Sequence, residues 1–378
     1  MIKLAEIVDR KEVFVEAHIA DIHFGVMDPM IQYNILKEQF LNYIYSMQTL
    51  DIVSINGDLF DHKFIASAEA IMVANQFIND LVNICKMKNA TLILISGTSY
   101  HDSNQLNLFR YLETSNDVDV RIVNEAKFLY IKGKKILCIP ELYNKGSSYY
   151  YDFLYYNGYY DACYMHGTYK GAIYGKNVPN LDSNREPVFD IKDFSFCLGP
   201  IISGHKHIRS IHDNDFYYCG SPIRWCFGEE QEKGFLILLH DLTTRHYLVH
   251  FEPITSFRYD TIELSDIINN DPNTIINYIN EIKSRGIYKL RVVFTINDRD
   301  KIAILKSYYK ANKNVTLVVD EEKQAVEEKI NEMEDEYNKF LYLFDRNLSP
   351  EEKLTQYMNQ VHGTTFWDVD VLNKLLAI

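Results

Sequence analysis

Five apolar runs in this chain each close on aspartate or histidine, and that coupling constrains the fold more than any other feature. The closing groups are Asp21-Ile22-His23, Gly57-Asp58-Leu59-Phe60-Asp61, His101-Asp102, His166-Gly167 and Gly204-His205-Lys206-His207. Residues 13–19 (VFVEAHI) alternate as a strand does, and 51–56 (DIVSIN) and 91–96 (TLILIS) are short strands of the buried kind. Between them, Leu36, Phe40, Tyr43, Ile44 and Met47 carry helical spacing over 32–48, and a helix is expected over 67–87. Strands alternating with helices predict a parallel sheet covered on both faces. Open sheets of this kind bind at the carboxyl ends of their strands, where the five groups fall.

Further strands are expected at 127–131, 134–139, 161–165, 196–202, 215–219, 234–240 and 244–251. The Tyr-rich stretch 149–160 reads as a helix or a lid-like loop. Pro253 marks a boundary, followed by a strand (257–263), helix (273–284), strand (288–295), helix (299–311) and strand (315–319) without a chemical motif. Beyond 321, Val326, Ile330, Met333, Tyr337, Phe340 and Phe344 fall on one stripe of a long helix. Ser349-Pro350-Glu351-Glu352 is a helix-start signal, with Leu354, Tyr357, Met358 and Val361 as the apolar face and Gly363 as the stop. One more short amphipathic helix is expected over 367–377. The organisation expected is therefore an α/β domain over 1–252, a small α/β domain over 253–320 and a helical region over 321–378.

Composition narrows the class. Hydrophobic residues make up 47% of the 378 and charged residues 24%, as in globular chains. No run approaches the roughly 20 apolar residues of a membrane helix, and the N-terminus lacks a signal-peptide core. An intracellular, cytoplasmic protein without membrane contact is expected. The six cysteines form no close CxxC pair, so no zinc knuckle or redox motif is indicated. The net charge of −13 argues against a simple nucleic-acid binder, but ten acids and four bases lie in 320–346, so about half the excess is local.

Aspartate and histidine delivered from separate strands of one sheet are the donors a pair of divalent cations needs. Two such ions about 3.5–4 Å apart clamp a phosphate ester and neutralise its leaving oxygen. Mixed imidazole and carboxylate donors suit manganese, iron or zinc better than calcium.

The residues that carry this order resemble the calcineurin-like metallophosphoesterase superfamily and, within it, the SbcD/Mre family of DNA nucleases. Tyr218-Cys219-Gly220-Ser221-Pro222-Ile223-Arg224, followed by Phe227, Glu229 and Lys233-Gly234-Phe235, is the stretch that is similar to the nucleases rather than to general phosphatases. The motifs cover about residues 13–250. The resemblance implies a metallophosphoesterase βαβ sandwich, two mixed sheets flanked by helices, with a small α/β capping domain and a helical tail. It implies that Asp21, His23 and His207 hold one ion, that Asp58 bridges, and that His166 and His205 hold the other. His101 would stand beside the scissile phosphate, Asp102 would orient that imidazole, and Asp61 would support a ligand histidine. Two manganese ions are the expected cofactors, with magnesium, iron or zinc as substitutes. DNA, an SbcC/Rad-type coiled-coil ATPase bound through the helical tail, and a second copy of the chain are the expected partners. Work in repair, recombination or replication follows from the same likeness. Abundant Ile, Asn, Lys and Tyr with scarce Pro fits a compact phage-type member.

One motif departs from the family. Its Gly-Asn-His-Asp/Glu, whose Asn is a ligand, is replaced here by Gly97-Thr98-Ser99-Tyr100-His101-Asp102. Water, Thr98 or Ser99 would have to fill the place, and a weaker second cation site is expected. Asp61 is followed by His62-Lys63, not by the Arg-Gly of protein phosphatases, which favours a diester substrate. Lys170, Lys176, Lys206, Arg209 and Arg224 are candidates to face a phosphate backbone, and the tyrosines of 149–160 to stack on bases. Two other functions stay open: a metallophosphoesterase acting on a small molecule or phosphoprotein, and a catalytically weakened DNA-end-binding subunit.

Overall fold

The computed structural model describes residues 13–64, 68–102, 104–114, 117–143, 145, 147–170, 172, 187–213, 215–224, 227, 229, 231–241, 243–244, 246–255, 258–263, 272–284, 287–294, 305–306, 315–319 and 348–362. By its internal contacts the chain divides into two compact units, Met1–Tyr259 and Asp260–Ile378.

The first unit is a mixed α/β fold built on two six-stranded sheets. Its strands are β1 (Val13–Ile19), β2 (Ile52–Asn56), β3 (Thr91–Ile95), β4 (Asp119–Val123), β5 (Lys127–Ile131), β6 (Lys134–Ile139), β7 (Ala162–His166), β8 (Thr168–Tyr169), β9 (Val188–Phe189), β10 (Ile201–Gly204), β11 (Ser210–His212), β12 (Phe216–Tyr218), β13 (Lys233–Asp241) and β14 (Tyr247–Ile254). The first sheet has the order β14-β13-β1-β2-β3-β4, and the second β11-β12-β10-β7-β6-β5. β1 to β4 are parallel, with β13 antiparallel against β1. β6, β7, β10 and β12 form the parallel run of the second sheet.

The apolar runs are buried on both sides for different reasons. One face of the first sheet packs on the second: Phe14, Ile52 and Ile93 share a core with Ile136, Tyr164 and Ile202. α1 (Pro29–Leu36) packs on α3 (Glu69–Lys88), which lies against β2 and β3, while a π-helical turn, Lys37–Leu41, leads into α2 (Asn42–Ser46), whose Tyr43 meets Phe235 of β13. Asp28 caps α1 by accepting from the N–H groups of Met30 and Ile31, at 3.0 Å each, with Pro29 opening the helix. Sheet-on-sheet burial therefore replaces the second helical layer that strand–helix alternation suggests. The Tyr-rich stretch is a 3₁₀ turn, Ser147–Tyr150, running into α4 (Tyr151–Tyr155). Of the strand expected over 196–202 only the end pairs, as the short β10; residues 196–200 connect it to a preceding 3₁₀ turn, Ile191–Phe194.

Across the gap between the sheets, Lys134 of β6 meets Glu16 of β1 at 2.5 Å. Tyr164 of β7 donates its hydroxyl to the same carboxylate, and His18 lies 3.3 Å from it. All four are buried. Burial works against the Glu16 charge, yet the ammonium of Lys134 and the His18 ring hold its carboxyl down at about 2.

β15 (Arg258–Glu263), which runs across the division into the second unit, forms one sheet with β16 (Ile287–Phe294) and β17 (Val315–Val319), and α5 (Pro272–Ser284) packs on β16. Pro253 lies within β14, opposite Gly234, six residues before the division. α6 (Pro350–His362) starts with a capping box: the Glu352 N–H donates to Ser349 Oγ at 3.2 Å, and the Ser349 N–H to Glu352 Oε2 at 2.7 Å. The helices expected over 321–344 and 367–377 lie outside the described residues, as does most of 299–311. Among the described residues no helix is long and apolar enough to cross a membrane.

Candidate metal centre

Six parallel strands deliver the site, three from each sheet, and every donor lies at or just past a carboxyl end. Asp21 and His23 follow β1, Asp58 follows β2, and Thr98, His101 and Asp102 follow β3. Glu141 follows β6, His166 ends β7, and His205 and His207 follow β10. The first two loops continue the sheet pairing: Asp21 N–H donates to the Gly57 carbonyl at 3.1 Å and His23 N–H to the Asp58 carbonyl at 3.0 Å.

Bending the chain that sharply after a strand has a conformational cost, and the loops of this cluster carry it. Asp21 (φ 52°), His23 (52°), Asp58 (53°) and His205 (92°) all occupy positive φ. Aspartate and histidine tolerate that region better than branched residues do, and strain of this kind gathers at functional sites. Gly57 (φ 87°) permits the tightest approach, because a Cβ there would lie 2.1 Å from His166 Nδ1.

The donors gather in overlapping groups whose ligand atoms all lie within 4.8 Å of one another. Asp21, His23 and His207 form one, and Glu141, His166 and His205 another. Asp58 joins a group with Asp21 and His166 and a group with His23 and His101, so its carboxylate lies between the two halves. His23 Nε2 and His207 Nε2 approach to 3.2 Å. His166 Nε2 stands 3.2 Å from Asp58 Oδ2 and 3.5 Å from Glu141 Oε2, and His205 Nδ1 stands 3.1 Å from that same Glu141 oxygen. Donors about 2.1 Å from one cation, at tetrahedral or octahedral angles, lie about 3.0–3.4 Å from each other. The spacing and chemistry of these buried groups could thus hold a metal ion.

Supporting bonds turn the donors inward. His166 donates from Nδ1 to the Asn56 carbonyl at 2.8 Å, which leaves Nε2 facing the centre. Asp61 Oδ1 lies 3.9 Å from His23 Nδ1, on the side away from the other donors. The His205 N–H donates to both Asp21 oxygens, at 2.9 and 3.2 Å. The Tyr218–Arg224 stretch braces His207: the Ser221 N–H donates to its carbonyl at 3.2 Å, and Lys233 Nζ reaches that carbonyl at 2.9 Å while meeting Ser221 Oγ and Glu229 at 2.8 Å each.

Electrostatics reflect a crowded, buried set. Burial, helped by the Asp58 charge, pushes Asp21 up to about 6 against the pull of His166 and His205. Burial lowers His23 to about 4 and takes His207 well below the ordinary imidazole range. Burial likewise opposes the Asp58 charge, but His166, His23 and His101 outweigh it and hold the carboxyl far below its usual range. Burial disfavours the charge of His166 too, yet the carboxylates of Asp58, Asp21 and Glu141 raise it to about 9.

Two expectations need correction. Asp102 does not orient His101 through Nδ1. Its carboxylate accepts three backbone N–H groups instead, from Gly97 (2.8 Å), Asp58 (3.0 Å) and Phe60 (3.1 Å). His101 Nδ1 bonds the Asp61 carbonyl. The longer loop after Gly97 turns Asp102 inward beneath the β2 loop, so it shapes the site rather than the imidazole. Burial and the neighbouring Asp58 raise its carboxyl to about 7, against those N–H bonds. Lys206, expected to face a phosphate backbone, is buried.

The other basic candidates fare variously. Arg224 bonds the Gln231 carbonyl, Arg209 lies 4.1 Å over the Phe251 ring, Lys170 is exposed beside Asp190, and Lys176 lies outside the described residues. Among the tyrosines of 149–160, Tyr150 and Tyr160 are core residues, whereas Tyr151, Tyr156 and Tyr159 are exposed. Glu141 is the donor that motif reasoning missed. Its signal was positional: like Asp21 and Asp58, it stands two residues past the end of an apolar strand.

No family model matches the sequence, and no curated protein matches it. Among solved structures the chain is similar to one at 12% identity, covering 63% of this chain and 99% of the other, with a TM-score of 0.38. It is also similar to a protein of unknown function from Aquifex aeolicus, at 16% identity over 53% of this chain and 82% of that one, with a TM-score of 0.22. Neither likeness bears on what the chain does.

Proposed function

We propose that the chain is a metallophosphoesterase of the calcineurin-like kind that hydrolyses phosphodiester bonds in DNA with two divalent cations, manganese foremost. The observation that carries this is the placing of Asp58 in groups with donors from both sheets, the position a bridging carboxylate needs. Bound there, the cations would supply charge neutralisation for the phosphate and activation of water. Asp21, His23 and His207 would hold one, His166 and His205 the other, with Asp58 common to both. His101 stands beside them with its Nδ1 proton engaged by the Asp61 carbonyl. Its Nε2 is left to hold a proton for the leaving oxygen. Preference for DNA rests on the likeness of the Tyr218–Arg224 stretch to the SbcD/Mre nucleases. The ATPase partner, pairing with a second copy and a capping role for the second unit rest on that resemblance too.

The test is hydrolysis by the purified chain with manganese of linear duplex DNA, single-stranded DNA and an aryl phosphodiester. DNA cleavage that Asp58→Asn abolishes supports the proposal. Turnover of the ester alone indicates a small-molecule phosphodiesterase, and bound manganese without any turnover indicates a DNA-end-binding subunit. Full activity in Asp58→Asn refutes the assignment of the site.

A further inference from the structure

The absent asparagine leaves the second cation one donor short, and the sequence suggests water, Thr98 or Ser99 as its replacement. The structure offers another group. Glu141 enters from the second sheet, two residues past β6, and its N–H donates to the Ser96 carbonyl at 3.4 Å, at the end of β3. That bond ties its loop to the strand that carries the altered motif. Its side chain is buried, 1% exposed, and Oε1 has no hydrogen-bond partner. Oε2 lies 3.1 Å from His205 Nδ1, 3.5 Å from His166 Nε2 and 3.1 Å from Thr98 Oγ1. A carboxylate buried with one oxygen unsatisfied is costly unless a cation or proton compensates it.

We infer that Glu141 is itself a ligand of the second cation and that Thr98 positions the ligands instead of replacing the asparagine. This rests on the two-cation reading above. Thr98 is occupied otherwise: its N–H donates to Asp58 Oδ1 at 2.7 Å, and its hydroxyl lies 3.2 Å from Asp58 Oδ2 and 3.1 Å from Glu141 Oε2. It sits between the two carboxylates and fixes their spacing. A neutral donor is thereby exchanged for an anion. With Asp21, Asp58 and Glu141 the donor set carries three negative charges against the four positive charges of two divalent ions; with a neutral amide it would carry two. The second site is then stronger, not weaker, than the sequence implies. Two carboxylates and two imidazoles also suit manganese or iron rather than an all-nitrogen zinc site.

Manganese titration of the full chain tests this, with calorimetry for stoichiometry and electron paramagnetic resonance for the coupled pair. The wild type should bind two ions and give a spin-coupled signal. Glu141→Gln should weaken the second ion by more than about 100-fold, beyond what losing an outer partner of a ligand costs, and abolish the coupled signal, while the first ion binds as before. Glu141→Asp should restore part of the loss, and Thr98→Ala should cost no more than about tenfold. Circular dichroism of each apo variant checks the fold. A merely orienting Glu141 would be replaced well by Gln, whose carbonyl still accepts from His205. Near-normal second-site affinity in Glu141→Gln therefore overturns the inference, as does an equal loss at both sites. Wild type binding a single ion sinks the two-cation reading and this inference with it. Two ions bound without DNA cleavage sinks only the nuclease assignment.

Discussion

Replacing Glu16 by glutamine should destabilise the fold by about 3 kcal/mol at pH 7, a figure on which linkage and the loss of one partner of a buried pair agree. The Glu16 carboxyl falls from 4.5 in the unfolded chain to about 2 in the folded one. At about 1.4 kcal/mol per unit, that difference is worth about 3 kcal/mol wherever the group is ionised in both states. Lys134 is 2% exposed, and removing one partner of a buried pair typically costs about 3–5 kcal/mol because the other charge is left uncompensated. The sign follows from the depressed value: the contribution is complete above pH 4.5 and is lost as pH falls through 2. The advantage of the wild type over the variant should therefore shrink from about 3 kcal/mol at pH 7 to about 2 kcal/mol at pH 3.5. Urea unfolding at the two pH values measures it. Adding Lys134→Met should recover most of the loss, since no buried charge then remains. A loss under about 1 kcal/mol, or one that does not shrink in acid, would refute the placing of this pair between the sheets. The matter bears on function, because β1 and β6 belong to the two sheets that carry the two halves of the site.

Other outcomes follow from the site. In Asp102→Asn the amide oxygen can keep the Gly97 and Asp58 N–H bonds, but its NH₂ then meets the Phe60 N–H. A loss of about 1–3 kcal/mol in urea unfolding at pH 5 is expected, with weaker manganese binding. Unchanged stability and binding with slowed turnover would restore the imidazole-orienting role. Cation affinity should rise with pH across 5 to 9, since Asp21, raised to about 6, and His166, raised to about 9, must both lose protons for ions to bind. Calorimetry in buffers of different ionisation enthalpy should show proton release at pH 7.5, and a pH-independent affinity contradicts this. Lys233→Met takes the ammonium from the His207 carbonyl, Ser221 and Glu229, and should cost about 3 kcal/mol and weaken the first ion more than the second. Equal loss at both ions would mean that the Lys233 contacts serve the whole domain and not His207.

What could be read before folding was whatever local pattern determines. The strands at 13–19, 51–56 and 134–139 announced themselves because their burial is almost complete. The capping box at Ser349 was legible for the same reason, since its two bonds join residues three apart. β4 was not legible: Asp119-Val120-Arg121-Ile122-Val123 is an edge strand with an exposed Arg121, and its pairing with β3 comes from tertiary context. Local pattern alone does not say that the second sheet, and not helices, covers one face of the first, because an apolar strand looks alike under either cover; two mixed sheets flanked by helices were expected from the resemblance.

The donors divide along the same line. Asp21, His23, Asp58, His205 and His207 sit in short motifs whose backbone must turn through positive φ, and the residue types that tolerate it are the types that bind cations. Glu141 needs no such turn. It stands after Pro140 at the end of an ordinary strand, and only the facing of two sheets brings it to His166 and His205, 25 and 64 positions further on. Its one local trace is its place two residues past an apolar strand, and without the sheets' facing a loop that has lost its asparagine looks defective in sequence. In three dimensions the Glu141 carboxylate reaches the same cluster from the opposite sheet. On the two-cation reading, the reach of that carboxylate across the intersheet gap, and not the loop that resembles the family least, would determine how firmly the second cation is held.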